Sequence, residues 1–264
     1  MILMDTVRCG ENSKQFIDQN TGWFGHTQSL KDGVTELVEI YQFRPINKNY
    51  NQEKMYISQL GQDKFIDEFF KKKENLTFLD VGAHDGVTIS NTFFLEKNRN
   101  WNGICIEAQP IEFEKLKKNR NSICINVAVS NFEGEVDFTY VEGYANMLSG
   151  ISNEYNQTHI DRIKGEVNHY GGKINTIKVP VKKLQTILDE NNIVDIDFCS
   201  LDTEGSEFNI IKSIDFEKTN IKVFIIENNY KETHIQDYLE TKDYQLYKKL
   251  EWDDVFIKKN LLIQ

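Results

Sequence analysis

The 264-residue chain has no basic excess: 31 Lys and Arg stand against 41 Asp and Glu, a formal net charge of −10. A nucleic-acid polyanion is held by cationic side chains that displace its counterions, so nucleic acid is not expected as the main partner. The lysine cluster Lys71-Lys72-Lys73 reads as the solvated end of a helix. Long apolar runs are missing too. Met1-Ile2-Leu3-Met4 is cut short by Asp5, which argues against a signal peptide, and no run reaches the length of a membrane span. The four cysteines, at positions 9, 105, 124 and 199, form no CxxC pair, and three fall in apolar runs where a thiol behaves as a small buried side chain. Reduced cysteines and a cytoplasmic location are the expectation. Close groupings of Cys with His are absent, which argues against zinc. Pattern is scarce at the beginning: residues 1–55 are rich in Asn, Gln and Lys, with one helix expected over Thr35–Tyr41, ahead of Pro45. This stretch is expected to be an extension that caps a pocket or joins copies of the chain into a homo-oligomer.

What is present is an α/β pattern. The length suits one domain of that class with extensions, taken as residues 56–264. Its organising stretch is Phe78-Leu79-Asp80-Val81-Gly82-Ala83-His84-Asp85-Gly86. The apolar run Leu76–Val81 ends in a glycine turn, and a helix is expected over Ile89–Lys97, which is the strand, turn and helix that open a nucleotide-cofactor fold. Gly82 would allow the tight turn, and Gly86 would let backbone approach a ligand. The same glycine turn also joins strands to helices where no ligand binds. Charge sharpens the reading. Asp80 and Asp85 flank the place where a dinucleotide's pyrophosphate would lie, and two carboxylates repel phosphate. They suit a cofactor with a positive centre and no phosphates, which S-adenosyl-L-methionine satisfies. Upstream, Phe65–Phe70 has helical periodicity, and Gln59 and Gln62 near its start are placed to face that cofactor.

A second strand, Gly103–Glu107, ends on an acid 21 residues beyond Gly86, near the spacing at which a carboxylate accepts from two ribose hydroxyls. The alternative is a strand-end carboxylate in solvent. A helix over Ile111–Lys118 and a third strand over Ser122–Val129 follow; the segment Asn126–Ser130, with Val127 and Ala128, would border an adenine. Residues 141–176 interrupt the rhythm. They carry many aromatic residues together with His159 and His169, and they are expected to form an irregular lid, with the histidines read as ordinary hydrogen-bonding residues ahead of catalytic ones. Regular structure resumes with strands over Ile177–Val181, Ile196–Asp202 and Ile221–Glu227, then an alternating hairpin over 244–258, which predicts a mostly parallel sheet with an antiparallel edge.

Four strands thus end in carboxylates: Asp80, Glu107, Asp202 and Glu227. In a parallel sheet these ends share one edge, and ligands bind in the crevice outside it. Methyl transfer from a sulfonium requires alignment and, for a hydroxyl acceptor, removal of a proton. Asp202 and Glu204 are the candidates for that base. With Glu227 they also form an oxygen-rich set suited to Mg²⁺ or Mn²⁺.

The motifs Ser58-Gln59-Leu60-Gly61-Gln62-Asp63, Phe78 to Gly86, Cys105-Ile106-Glu107-Ala108-Gln109-Pro110, Ser200-Leu201-Asp202-Thr203-Glu204-Gly205-Ser206-Glu207 and Ile225-Ile226-Glu227-Asn228 together resemble the FkbM family of S-adenosylmethionine-dependent methyltransferases. The resemblance spans roughly residues 56–258. It implies a Rossmann-like class I methyltransferase fold with a seven-stranded sheet and helices on both faces. It further implies that Asp80, Gly82 and Gly86 frame the methionine moiety and that Glu107 holds the ribose; Gln59, Ala83, His84, Ala108 and Asp202 join them as cofactor-binding candidates. O-methylation of a sugar, a glycan or a sugar-containing metabolite is the implied activity, with a small-molecule or carbohydrate acceptor. His84 stands where the general class I pattern has a third glycine. Two other readings remain at this point: a metal-dependent nucleotide-sugar glycosyltransferase, for which Asp202-Thr203-Glu204 would be the acid-x-acid site, and a non-catalytic carbohydrate- or partner-binding protein on the same fold.

Overall fold

A computed structural model describes residues 13–18, 23–29, 35–42 and 56–262. The chain divides into two compact units, Met1–Met55 and Tyr56–Gln264. In the first, β1 (Ser13–Asp18), β2 (Trp23–Ser29) and β3 (Thr35–Gln42) form an antiparallel sheet in that order. The helix expected over Thr35–Tyr41 is therefore a strand. Thr35, Val38, Ile40 and Tyr41 favour extended backbone, and the segment pairs with β2 from Ser29↔Thr35 to Trp23↔Gln42.

The second unit runs α1 (Gln62–Phe69), β4 (Thr77–Val81), α2 (Phe93–Arg99), β5 (Asn102–Ile106), α3 (Pro110–Asn119), β6 (Ile123–Ile125), β7 (Ala128–Ser130), β8 (Gly134–Gly143), β9 (Gly150–Ile151), α4 (Gln157–Tyr170) and β10 (Gly172–Lys183). It continues through α5 (Leu184–Glu190), β11 (Asp195–Leu201), α6 (Glu207–Lys212), β12 (Asn220–Glu227), α7 (His234–Glu240), β13 (Tyr244–Leu250) and β14 (Asp253–Lys258). Its main sheet has seven strands in the order β13-β14-β12-β11-β4-β5-β6. The pairs from β12 to β6 are parallel, and the β13–β14 hairpin closes one edge antiparallel, as the sequence predicts.

Alternation along each strand serves two cores. Leu79, Ile104 and Ile106 pack with Leu184, Ile187, Ile210, Ile211 and Leu239 of α5, α6 and α7 on one face. On the other, Phe78, Cys105, Phe198 and Ile225 pack with Ile66, Phe94, Leu95 and Leu116 of α1, α2 and α3. Helices thus cover both faces. Among the described residues, no helix is long and apolar enough to cross a membrane.

Three further elements depart from the sequence reading. The helix expected from Ile89 begins at Phe93, because the preceding residues are held in turns: Asp85 accepts the N–H groups of Val87 and Thr88, and Ser90 accepts those of Thr92 and Phe93. The strand expected over Ser122–Val129 is two strands. Its break is at Asn126, whose side-chain amide donates to the carbonyls of Glu107 and Ala108 at 2.8 and 3.1 Å. β7 then leaves the main sheet for a second, four-stranded one in the order β7-β10-β8-β9. Residues 141–176, expected to be irregular, carry the 14-residue α4, started by Asn156, whose side chain accepts the His159 N–H. Val141, Ala145, Leu148 and Ile163 give this insertion an apolar cluster of its own.

Candidate active site

The neighbours of β4 are β5 on one side and β11 on the other, so the chain order reverses there, and the C-terminal ends of these strands leave a crevice. A cavity of about 400 Å³ fills it. All four strand-end acids line it, with Glu204, and so do Gln59, Gly82, Ala83, His84, Ala108, Val127 and Ala128. Gly86 does not line it. Its φ is +78°, and a Cβ there would stand 2.6 Å from Leu116 Cδ1 and 2.7 Å from Arg120 Cγ. The glycine at 86 is therefore required by the packing of α3 under the loop. Gly82 is needed for a different neighbour: at φ +88°, a Cβ would lie 1.7 Å from the carbonyl oxygen of Asp202.

Asp80 is buried beneath the glycine turn. It accepts from Thr92 Oγ1 at 2.5 Å and faces Arg120 Nη1 at 3.8 Å; burial pushes its carboxyl up, opposed by the guanidinium and the hydroxyl. Asp85 is turned away into its own loop, where it accepts from the Val87 and Thr88 N–H groups and from Thr88 Oγ1. Burial would raise its carboxyl, but His84, Thr88 and those N–H groups outweigh it and hold it well below the usual range. Asp85 thus shapes the loop and does not repel a pyrophosphate; the acid that faces the cavity is Asp80. Glu107 accepts the N–H of His84 at 2.8 Å and of Gln109 at 2.7 Å, and burial lifts its carboxyl against those bonds. The His84 ring reaches the insertion, with Nε2 3.0 Å from Asn146 Nδ2 and 3.5 Å from Glu112 Oε2. Burial would lower its pKa, but Asp85, Glu112 and Glu107 reverse the sign and raise it.

Across the cavity, Asp202, Glu204 and Glu227 each bring a carboxylate oxygen within 4.8 Å of the other two. Glu207 fixes the turn beneath them, accepting from Thr203 N and Oγ1 at 2.7 Å each and from Gly205 N at 3.0 Å. Asp202 is open to the cavity, yet protein surrounds it on every other side. Burial and repulsion from Asp253 and Glu207 raise its carboxyl to about 7. Glu204 and Glu227 are also raised, by burial first and then by Asp202, and burial raises Asp253 to about 6. So many like charges in one wall hold protons near neutrality or call for a cation. Glu204 has φ +61°, and two other residues on the cavity wall, His84 at +49° and the β-branched Ile89 at +48°, are also left-handed. Such conformations cost of order 1–3 kcal/mol each and gather where geometry serves chemistry.

Further residues on or beside the cavity wall are brought there by tertiary packing. Asp253 is the cross-strand partner of Glu227 and accepts from Gln62 Nε2 at 2.7 Å. Trp252 precedes it in the hairpin, and Arg162 comes from α4, with Nη1 3.8 Å from Glu204. His159 is buried, with Nδ1 3.4 Å from Glu204 Oε2 and 3.1 Å from Tyr230 Oη, and Nε2 3.1 Å from the Leu148 carbonyl. Burial lowers its pKa. His169 packs edge-on against Tyr170, 4.4 Å between ring centres. Only the hairpin register brings Asp253 to Glu227, and no local motif announces it.

Residues 80–248 match the family model described as the methyltransferase FkbM domain. The chain belongs to the FkbM methyltransferase family. It is an S-adenosylmethionine-dependent methyltransferase, and the glycosyltransferase and non-catalytic alternatives are set aside. The matched span opens at the Asp80 of this FkbM methyltransferase and ends within β13. Among solved structures, a TehB-like SAM-dependent methyltransferase from Corynebacterium glutamicum is similar over 75% of this chain and 88% of its own, at 12% identity and a TM-score of 0.38. The human methyltransferase 10 domain containing protein is similar over 76% of this chain and 81% of its own, at 11% identity and a TM-score of 0.39. No curated protein sequence matches this FkbM methyltransferase.

Proposed function

We propose that this enzyme methylates a hydroxyl of a sugar, a glycan or a sugar-containing metabolite. The observation that carries the reading is the carboxylate cluster of Asp202, Glu204 and Glu227, raised above the ordinary range on the cavity wall. An alcohol is a weak nucleophile and must shed its proton as it attacks, and a carboxylate that titrates near 7 is matched to receive it. In this reading Asp202 takes the proton, since its carboxylate is open to the cavity. Glu204, fixed between His159 and Arg162, orients the acceptor hydroxyl.

The cavity residues fit S-adenosylmethionine. The volume lies within the range of small-molecule sites, and the walls offer anionic Asp80 and Glu107 to a cationic ligand rich in hydroxyls. When bound, the cofactor supplies an electrophilic methyl group. Glu107 would accept the ribose hydroxyls, for its two oxygens retain lone pairs beyond those given to the His84 and Gln109 N–H groups. Val127, Ala128 and Ala108 would border the adenine and ribose. Asp80, Gly82, Ala83 and His84, with Gln59 and Asp202, would surround the methionine part.

The same three carboxylates fit a hard divalent cation such as Mg²⁺ or Mn²⁺, being all oxygen donors within 4.8 Å. Such an ion would neutralise the cluster and favour the deprotonated acceptor hydroxyl.

The test is a screen of hydroxyl acceptors with S-adenosylmethionine, read by mass for the added methyl group. Methylation of sugar hydroxyls supports the reading; methylation confined to non-sugar acceptors overturns it. Asp202→Asn should lower kcat by about a hundredfold or more, with a much smaller loss of affinity for S-adenosylmethionine. Activity unchanged by EDTA would remove the metal.

A further inference from the structure

The cavity has two ends. β5 and β14 are separated in the sheet by β4, β11 and β12, about 19 Å at the usual strand spacing. Glu107 and Ala108 follow β5 at one end, and the turn of the β13–β14 hairpin brings Trp252 and Asp253 to the other. Trp252 is 38% exposed, and among the described residues no ring or cation stacks on its indole. Phe138 on the cavity wall and the tyrosines of the insertion are already packed. Phe138 is 4% exposed within the apolar cluster of the second sheet, Tyr144 lies against Tyr170 with 4.1 Å between ring centres, and Tyr155 against His159 with 4.3 Å. An indole face is thus left open on the wall, at the end away from Glu107.

Its position is set by backbone. Glu227 and Asp253 are cross-strand partners, so Trp252 is one residue beyond the partner of an acid in the cluster. The Asn228 N–H donates to the Trp252 carbonyl at 2.7 Å and pins the hairpin tip to the end of β12. The same cavity is lined by two amide side chains, Asn229, hydrogen-bonded to Glu227, and Gln59. An open indole face in a cavity that also carries amides and carboxylates matches a molecule with one C–H face and a periphery of hydroxyls, and that is a pyranose ring.

We propose that Trp252 is the stacking platform that selects the acceptor: a sugar ring lies with its C–H face on the indole and turns one hydroxyl toward Asp202. The inference rests on the sugar-hydroxyl reading above and adds which residue recognises the ring.

The test uses the full chain loaded with S-adenosylhomocysteine and a panel of methyl glycosides of common hexoses as probes. Binding is read by saturation-transfer NMR and by tryptophan fluorescence for wild type, Trp252→Ala and Trp252→Phe. At least one glycoside should bind wild type, bind Trp252→Ala about tenfold more weakly, and recover most of its affinity in Trp252→Phe. Affinity for S-adenosylhomocysteine should be the same in all three, which also shows that the variants fold. A glycoside held equally by wild type and Trp252→Ala overturns the platform and leaves the sugar reading standing. Parallel loss of S-adenosylhomocysteine affinity in Trp252→Ala also overturns it, by making the indole structural. Wild type that binds no glycoside and methylates only non-sugar hydroxyls overturns both.

Discussion

Asp202 faces Glu204 of its own turn, Glu227 of β12 and Asp253 of β14, and its titration sets when the site can accept a proton. With its carboxyl pushed up to about 7, well above the usual aspartate range, kcat/KM should rise with pH through about 7, and Asp202→Asn should abolish that limb of the profile. Stability should move the opposite way. The folded state holds this proton more tightly than the unfolded chain, so the contribution is complete below about pH 4 and is lost as pH rises through about 7. Thermal midpoints of wild type and Asp202→Asn across that window give the check: the wild-type decline should be the steeper. Gly86 offers a second test at this scale. Gly86→Ala forces a Cβ onto Leu116 and Arg120 at a left-handed φ, and should destabilise the protein by about 1–3 kcal/mol in urea unfolding. Because Gly86 lies off the cavity wall, the affinity of the folded variant for S-adenosylmethionine should stay near wild type.

The helices α2 and α3 are tied to β4 through one fully buried guanidinium. Arg120, just past the end of α3, donates to Glu96 of α2 at 2.8 Å and to Thr92 at 2.9 Å, and faces Asp80. Arg120→Met would leave Asp80 with no cation and Glu96 with only Lys97, and should cost about 3–5 kcal/mol in urea unfolding. At this scale the sequence was readable where an apolar run ended on an acid. Strands ending at Asp80, Glu107, Asp202 and Glu227 are visible from local pattern because a parallel strand buried on both faces is an unbroken apolar run, and a carboxylate marks where it stops. The unread parts depend on distant partners. Asn126 breaks its strand by bonding backbone 18 and 19 residues upstream, and the start of α2 is delayed by the side chains of Asp85 and Ser90. The candidate site divides the same way: glycine-turn and strand-end residues were legible, whereas Asp253 and Trp252 come to the cavity through hairpin register and Arg162 through the packing of α4, which also seats His159 beside Glu204.

Over the whole molecule, a net charge of −10 surrounds a cavity that is itself lined with carboxylates. Acceptors bearing sulfate or phosphate should therefore show lower kcat/KM than neutral acceptors of the same sugar, and the gap should narrow as salt is raised and the long-range field is screened. Arg162, on the wall beside Glu204, is the local cation that works against this field. Two signatures far apart in the sequence meet at Gly82, where the glycine turn after β4 rests on the carbonyl of Asp202 with no room for a methyl group. A saturation survey of substitutions would find position 82 intolerant even in a selection that scores turnover at saturating cofactor. The fault there would be a misaimed base, so rescue should come from changes along residues 202–205 and not from a higher supply of cofactor.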